Sequence, residues 1–225
     1  MDGPAFIHNH NRGKTDSYKR VIEGISKARN YLGTDRVSAL MTTSELSLNY
    51  PKEIIDNYLS NGFNSIFLRP LNPYGLALNN TSWDLYFENF VTFYKLALNY
   101  IIDINIRGDF FVEEFTAILL RKMLTPFTTG FVDLQSPAGI INSVVVYNYD
   151  GYVYASDESR MLAEYHDYTF RLGYVTDKYE NLFYGKKAQQ IALIGGTEFI
   201  AGCADCAFQS YCGADPVPVS YTHLR

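Results

Sequence analysis

The first 202 residues of this 225-residue chain contain no cysteine. A disulfide framework is thereby excluded, because such scaffolds spread an even number of cysteines through a small secreted domain. A basic stripe is also missing. With 24 acidic residues against 19 Lys and Arg, and a net charge of −5, the chain offers no surface on which counterion release would drive nucleic-acid binding. No run approaches the ~18 uninterrupted apolar residues of a membrane span. The opening Met1-Asp-Gly-Pro-Ala-Phe-Ile-His lacks the positive region and apolar stretch of a secretory signal. The expected location is therefore cytoplasmic, with no membrane partner. Internal repeats and low-complexity tracts are absent as well.

What the chain does have is a cluster of thiols. Its 3 cysteines stand close together near the end, as Cys203-Ala-Asp-Cys206-Ala-Phe-Gln-Ser-Tyr-Cys212. An odd set at C-x2-C-x5-C spacing points to a metal or cluster site. Two cysteines so spaced can turn both sulfurs toward one centre, and Gly202 and Gly213 let the backbone bend around it. Cysteines used as small core hydrophobes have no reason to adopt ligand spacing. A thioredoxin-type redox pair would need a strand-to-helix setting and would leave the third thiol without a role. Structural zinc and cubane iron clusters both usually take about four protein ligands. The missing one is expected from elsewhere in the chain, from a segment outside it, or from a partner. His223 is the nearby histidine, but the tail Pro216-Val-Pro-Val-Ser-Tyr-Thr-His223-Leu-Arg225 has no turn or periodic pattern that aims it at the thiolates.

A hydrophobic content of 47%, with 19 Tyr and 15 Phe, is ample for a core and for broad packing faces. The beginning of the chain reads as alternating helix and strand. Thr15 or Asp16 caps a helix running through Tyr18, Val21, Ile22 and Ile25 to Leu32, with Gly33 as its stop. A strand over residues 36–42, a helix from Pro51 to Asn61-Gly62, and a strand over residues 63–69 follow. This order is that of a parallel sheet covered by helices, whose ligands gather at the carboxyl ends of the strands. Residues 42–45 and 69–75 are therefore the segments to inspect. Residues 5–12 read as a polar loop, so no strand precedes the first helix and the chain reads as beginning mid-fold. Helices are expected over residues 82–102 and 110–123. Beyond them, residues 143–147 and 152–154 read as a hairpin turning at Asp150-Gly151. The change of character predicts three parts: residues 1–129, residues 130–215, and an unstructured or artefactual tail at 216–225.

Asp2-Gly-Pro4 followed by Ile7-His-Asn-His-Asn-Arg12 resembles the Asp-Gly-Pro and Ile-His-Asp-x-x-Arg segment of the radical SAM maturases that carry a SPASM extension. Asp150-Gly-Tyr-Val-Tyr154, Arg171-Leu-Gly-Tyr-Val175 and Cys203-x2-Cys206-x5-Cys212-Gly213 then follow in the order of that extension. The wording of the cysteine segment, continuing to Pro216, is most similar to the maturases of the His-Xaa-Ser peptide-modification system. The resemblance spans nearly the whole chain. It implies an α/β fold: a truncated partial (β/α)6 radical SAM barrel, then a loop-rich SPASM-like auxiliary iron-sulfur domain with a β-hairpin. The defining motif is missing. Radical SAM enzymes hold their catalytic 4Fe-4S cluster with Cys-x3-Cys-x2-Cys, and no cysteine precedes Cys203 here. The chain thus resembles a C-terminal fragment, with Met1 an internal methionine, residues 219–224 an adapter-derived tail, and the fourth cluster ligand in what is missing.

Carried over residue by residue, the resemblance implies that Arg12 contacts S-adenosyl-L-methionine (SAM) through its fork of donors. It implies that Leu71 contacts the adenine, and that Asp157 is a base toward substrate. A solvated charge, packing on Tyr74 and a turn cap are the respective structural alternatives. His8 and His10 form a His-x-His pair on the expected loop, a weaker metal signal. Where fuller members of the family carry further cysteines, this chain has Ser136 or Pro137, Ser156 and Pro216. The implication is that one auxiliary cluster is absent and the other is held by Cys203, Cys206, Cys212 and a lost ligand. The implied activity is modification of a ribosomally made peptide by 5′-deoxyadenosyl-radical hydrogen abstraction. Its cofactors would be an auxiliary 4Fe-4S cluster and, in the full-length protein, SAM. Its partners would be a short precursor peptide with His-Xaa-Ser repeats and an electron donor. The chain alone is expected to be inactive. Two readings from other classes stay open: a non-enzymatic zinc-binding peptide-interaction module with His223 as fourth ligand, and a cluster-bearing electron-transfer protein.

Overall fold

Pro4 and Gly13 bracket a helix, α1 (Ala5–Arg12), where the sequence reads as loop. Proline before the first turn sacrifices no helical hydrogen bond, and Gly13 at φ +64° takes the left-handed cap that ends it. The computed structural model describes residues 1–72, 82–135, 139–213 and 217. Tyr74, Gly75, Ser136, Pro137, Pro216, His223 and the segment 219–224 lie outside the described residues. The chain divides into two compact units, Met1–Ala117 and Ile118 onward.

In the first unit α1 buries Ile7 and His8 and leads into α2 (Ser17–Leu32). Asp16 precedes α2 but makes no side-chain cap. Asn9 does that instead, its Oδ1 accepting the Tyr18 N–H at 2.8 Å. Tyr18, Val21, Ile22 and Ile25 lie half-buried against the core. α3 (Pro51–Ser60) opens on Pro51 and buries Ile54, Ile55 and Tyr58. A longer helix, α4 (Trp83–Ile106), lays Phe93, Ala97, Ile101 and Ile104 onto the same core as Met41, Ile66 and Leu68. Each such fully buried aliphatic or aromatic side chain contributes about 1.5–3 kcal/mol.

The parallel strands are shorter than the sequence leads one to expect. β1 (Ser65–Ile66) pairs in parallel with β2 (Val112–Glu113), and Thr43 forms an isolated parallel bridge with Pro70. Residues 36–42 build no ladder, because their neighbours meet them by single bonds. Met1 N donates to the Leu40 carbonyl at 2.9 Å, Thr42 N–H to Asp2 Oδ1 at 3.4 Å, and Thr43 N–H to the Arg69 carbonyl at 2.9 Å. Pro70 has no N–H to extend the pairing. The helix expected from residue 110 begins later, as α5 (Glu114–Leu124). Residues 112–113 are drawn into the sheet by Glu113, 3% exposed, which accepts the Leu68 N–H at 3.1 Å, the Thr116 N–H at 2.6 Å and the Tyr94 hydroxyl.

In the second unit β3 (Val146–Tyr147), β4 (Tyr152–Tyr154) and β5 (Arg171–Tyr174) form an antiparallel sheet in that order. Short helices α6 (Asp157–Ala163), α7 (Tyr179–Tyr184) and α8 (Lys186–Ile194) accompany it. Val153, Tyr154, Leu162, Phe170, Leu182 and Ile191 are buried there. Arg171 lies between the rings of Tyr152 and Tyr168, at 4.2 and 4.6 Å from their centroids. Among the described residues no helix is long and apolar enough to cross a membrane.

Candidate functional site

In the first unit, the carboxyl ends of the parallel segments are joined by one tyrosine. Tyr86, in the first turn of α4, donates its hydroxyl to the Thr43 carbonyl at 2.6 Å and accepts the Leu71 N–H at 2.8 Å. Burial pushes its phenol up to about 12, so it remains a donor across the neutral range. Thr43 Oγ1 at the same strand end is buried and, among the described residues, has no hydrogen-bond partner. Leu71 itself is half-buried. A cavity of about 590 Å³ opens beside these groups, lined by Glu45, Leu48, Asn49, Tyr86, Asn89 and Phe93.

Arg12 is neither free nor merely solvated. Its Nε and Nη2 each donate to the Asp2 carboxylate at 2.9 Å. Asp2 is 1% exposed, whereas 51% of the Arg12 side chain remains exposed. Asp2 in turn gives its N–H to His8 Nδ1 at 3.2 Å, which leaves the imidazole proton on Nε2, 3.3 Å from Ser17 Oγ. Burial holds His8 below its usual pKa, against the pull of Asp2. His8 is buried and His10 exposed, so the His-x-His pair does not converge. Residues two apart on a helix do not share a face.

In the second unit Ser156 caps α6 rather than standing ready for a metal. Its Oγ accepts the Ser159 N–H at 3.2 Å and its N–H donates to Ser159 Oγ at 2.8 Å, a reciprocal capping box. Asp157 follows in the first turn, 63% exposed, and takes the Arg160 Nε at 2.9 Å.

The cysteines lie on a succession of tight turns. Cys203 N–H bonds to the Ile200 carbonyl at 3.0 Å, Cys206 N–H to Cys203 at 3.1 Å, Gln209 N–H to Cys206 at 3.0 Å and Cys212 N–H to Phe208 at 3.0 Å. Each of these turns is closed by a single backbone hydrogen bond. Partial burial of the sulfur, then the charges of Cys203 and Cys206, push the Cys212 thiol up, and Lys122 acts in the opposite sense. The thiols are unbridged, Cys203 half-buried and the other two exposed. Among the described residues no group of three or more His, Cys, Asp or Glu forms a metal-holding set.

Two residues that local sequence does not mark stand at these sites: Tyr86, one aromatic among several on a long helix, and Lys122, in the last turn of α5. The Lys122 Nζ donates to the Leu134 carbonyl, outside its own helix. Lys122, Leu134, Gln135, Asn142 and Ser210 line a cavity of about 830 Å³.

Solved structures with this fold are known. The chain is similar to anSMEcpe, an anaerobic sulfatase-maturating radical SAM enzyme, in its native form with bound AdoMet. The TM-score is 0.66 at 19% identity, over 95% of this chain and 56% of that one. With AdoMet and the Cp18Cys peptide the same enzyme gives 0.68 at 18% identity, over 95% and 57% of the two chains. With the Kp18Cys peptide it gives 0.64 at 17% identity, again over 95% and 57%. The likeness establishes a shared mixed α/β fold. The chain spans little more than half the length of the structures it matches. No family profile and no curated protein sequence matches it.

Proposed function

We propose that this chain is the C-terminal part of a radical SAM enzyme that modifies a ribosomally made peptide. The observation that carries the proposal is the fold match, which covers 95% of this chain against an enzyme bound to AdoMet and a peptide. The cysteine segment supports it independently. Three soft thiolates at ligand spacing suit an iron-sulfur cluster or zinc, and a fourth ligand from outside the described residues would complete either. Under this reading Cys203, Cys206 and Cys212 hold an auxiliary 4Fe-4S cluster, which supplies an electron acceptor or an anchoring point when bound.

SAM, in the complete protein, is the source of the hydrogen-abstracting radical. The tasks of this chain's residues are binding and orientation. Leu71, held through its N–H by Tyr86, offers a half-buried apolar side chain to the adenine. Arg12 meets SAM only with the part of its guanidinium that faces away from Asp2, so Asp2 fixes the angle of approach. Asp157, oriented by Arg160, is the group assigned to receive the substrate proton. The partner is a short precursor peptide of the His-Xaa-Ser kind, with an electron donor.

Anaerobic reconstitution of the chain with iron and sulfide, followed by iron, sulfide and zinc analysis, tests this reading. Iron and sulfide in equal amounts support it. Stoichiometric zinc without sulfide would instead favour the zinc-binding peptide-interaction module.

A further inference from the structure

The cavity at the strand ends of the first unit has two walls. One is the turn of residues 46–49 with Glu45 before it. The other is a single stripe along α4, where Ser82, Leu85, Asn89, Thr92 and Leu96 follow one another at steps of three and four residues. Tyr86 and Phe93, both buried, form the floor. From Ser82 to Leu96 the stripe runs about 21 Å, the length of about six residues of extended chain.

The walls carry the chemistry of a peptide site. Asn49 stands on one and Asn89 on the other, both exposed, and among the described residues neither amide has a partner. Each offers a donor and an acceptor, the same pair that a peptide unit offers, so the two suit a main chain lying between them. Leu85 and Leu96, 57% and 55% exposed, leave apolar surface along α4. Glu45 is exposed, is in no ion pair among the described residues, and is the one charged residue among those that line the cavity. A lone carboxylate in a groove of amides and leucines is matched by a cation and repels a second acid.

We propose that this groove binds an extended peptide segment, with Asn49 and Asn89 on its main chain, Leu85 and Leu96 on its apolar side chains, and Glu45 selecting a basic side chain. The inference rests on the reading of the chain as part of a peptide-modifying enzyme and says which surface of that part the peptide meets. A His-Xaa-Ser segment meets the requirement through a protonated imidazole. Glu45 touches no reacting atom in this scheme, so it is a specificity residue and not a catalytic one.

The test is fluorescence anisotropy with three labelled hexapeptides that share flanking Leu and Ser residues and differ at one central position, Lys, Ala or Glu. They are titrated with the whole chain as wild type, E45K, E45Q and N89A. Wild type should bind the Lys peptide about tenfold more tightly than the Glu peptide, and E45K should reverse the order. E45Q should bind all three alike, and it serves in place of E45K if that variant fails to fold. N89A, which removes a main-chain contact, should weaken all three by about fivefold and keep their order. An order that neither Glu45 variant changes, or no binding of any peptide, would overturn the inference. So would sedimentation that shows a dimer dissolved by E45K, which would assign the groove to a second copy of the chain. Iron and sulfide analysis of the same reconstituted protein separates this inference from the reading it rests on. Cluster uptake without peptide binding overturns the groove alone, whereas peptides bound in the expected order by a chain without iron or sulfide uphold the groove and count against the cluster-bearing enzyme.

Discussion

Arg12 and Asp2 meet through two hydrogen bonds of 2.9 Å between a half-exposed guanidinium and a buried carboxylate. The two-pronged contact fixes direction as well as distance. Because Asp2 also accepts the Thr42 N–H, the pair ties the end of α1 to the extended segment before Thr43. Arg12→Met leaves a buried carboxylate short of two donors, and the expected loss is about 2–3 kcal/mol of unfolding free energy. Arg12→Lys, whose ammonium cannot bridge both oxygens in the same way, recovers part of it. Urea unfolding followed by circular dichroism measures both. A wild-type midpoint for Arg12→Met would show that the pair holds nothing together.

His8 makes stability depend on pH. It faces the Asp2 carboxylate, the Ser17 hydroxyl and the Tyr18 ring, with Arg12 and the Met1 ammonium nearby, and burial is the leading cause of its lowered pKa. The unfolded chain takes up this proton near pH ~6.5, whereas the folded chain takes it up only at lower pH. Between the two values the unfolded state holds more protons. The His8 contribution is therefore fully present above the unfolded-state value of about pH 6.5 and declines as pH falls below it, through the lowered folded-state value. Urea midpoints across this range should fall, and His8→Asn should flatten the slope. Equal slopes in the two proteins would exclude His8 as the source.

Tyr86→Phe separates packing from hydrogen bonding at the strand ends. The ring remains, but the Thr43 carbonyl and the Leu71 N–H lose the hydroxyl that joins them. The expected destabilisation is about 1–3 kcal/mol, with faster amide exchange at Leu71. Protection of Leu71 equal to wild type would mean that the hydroxyl is not what positions it.

The helices of the first unit were largely legible in the sequence. Pro51 announced α3, and the spacing of Tyr18, Val21, Ile22 and Ile25 announced α2. α1 was not legible, because its polar run of His and Asn offers little apolar periodicity and its order comes from partners outside the helix itself: Asp2 for Arg12, Tyr18 for Asn9. The strand expected over residues 36–42 failed for a related reason. Its β-formers are held by scattered single bonds rather than by a ladder, which local propensity cannot foresee. At the cysteines, spacing marked the thiols, which lie on a succession of hydrogen-bonded turns, but among the described residues they form no metal-holding set. The lysine was hidden, since nothing local to residue 122 records the approach of Leu134 and Ser210.

Ile141 sits at φ +64°, where a β-branched side chain is a genuine outlier. Its N–H lies 3.0 Å from the Val144 carbonyl and 3.1 Å from the Ala155 carbonyl, so the surrounding turn imposes the conformation. Such strain is worth about 1–3 kcal/mol. Ile141→Gly relieves it while adding backbone entropy to the unfolded chain, for an expected gain of about 1 kcal/mol, or a melting temperature about 2–4 °C higher. A lower melting temperature would show that packing of the half-buried side chain outweighs the strain.

Gly202 and Gly213 bracket the cysteines and are required for different reasons. Gly202 is at φ +80° with open space around a would-be Cβ, so Gly202→Ala suffers only the left-handed backbone penalty of about 1–2 kcal/mol. Gly213 faces backbone: its Cβ would meet the Asp133 carbonyl oxygen and Leu134 Cα, neither of which can rotate aside as the end of a side chain can. Gly213→Ala must therefore push residues 212–213 off Leu134, carrying Cys212 away from Lys122. Thermal unfolding should show a loss of about 1–3 kcal/mol, and zinc titration should show about tenfold weaker binding. Gly202→Ala, which leaves the approach to Leu134 untouched, should bind zinc as wild type does. Equal zinc affinity in all three proteins would mean that contact with Leu134 has no part in holding Cys212 where its two companions can reach the same ion.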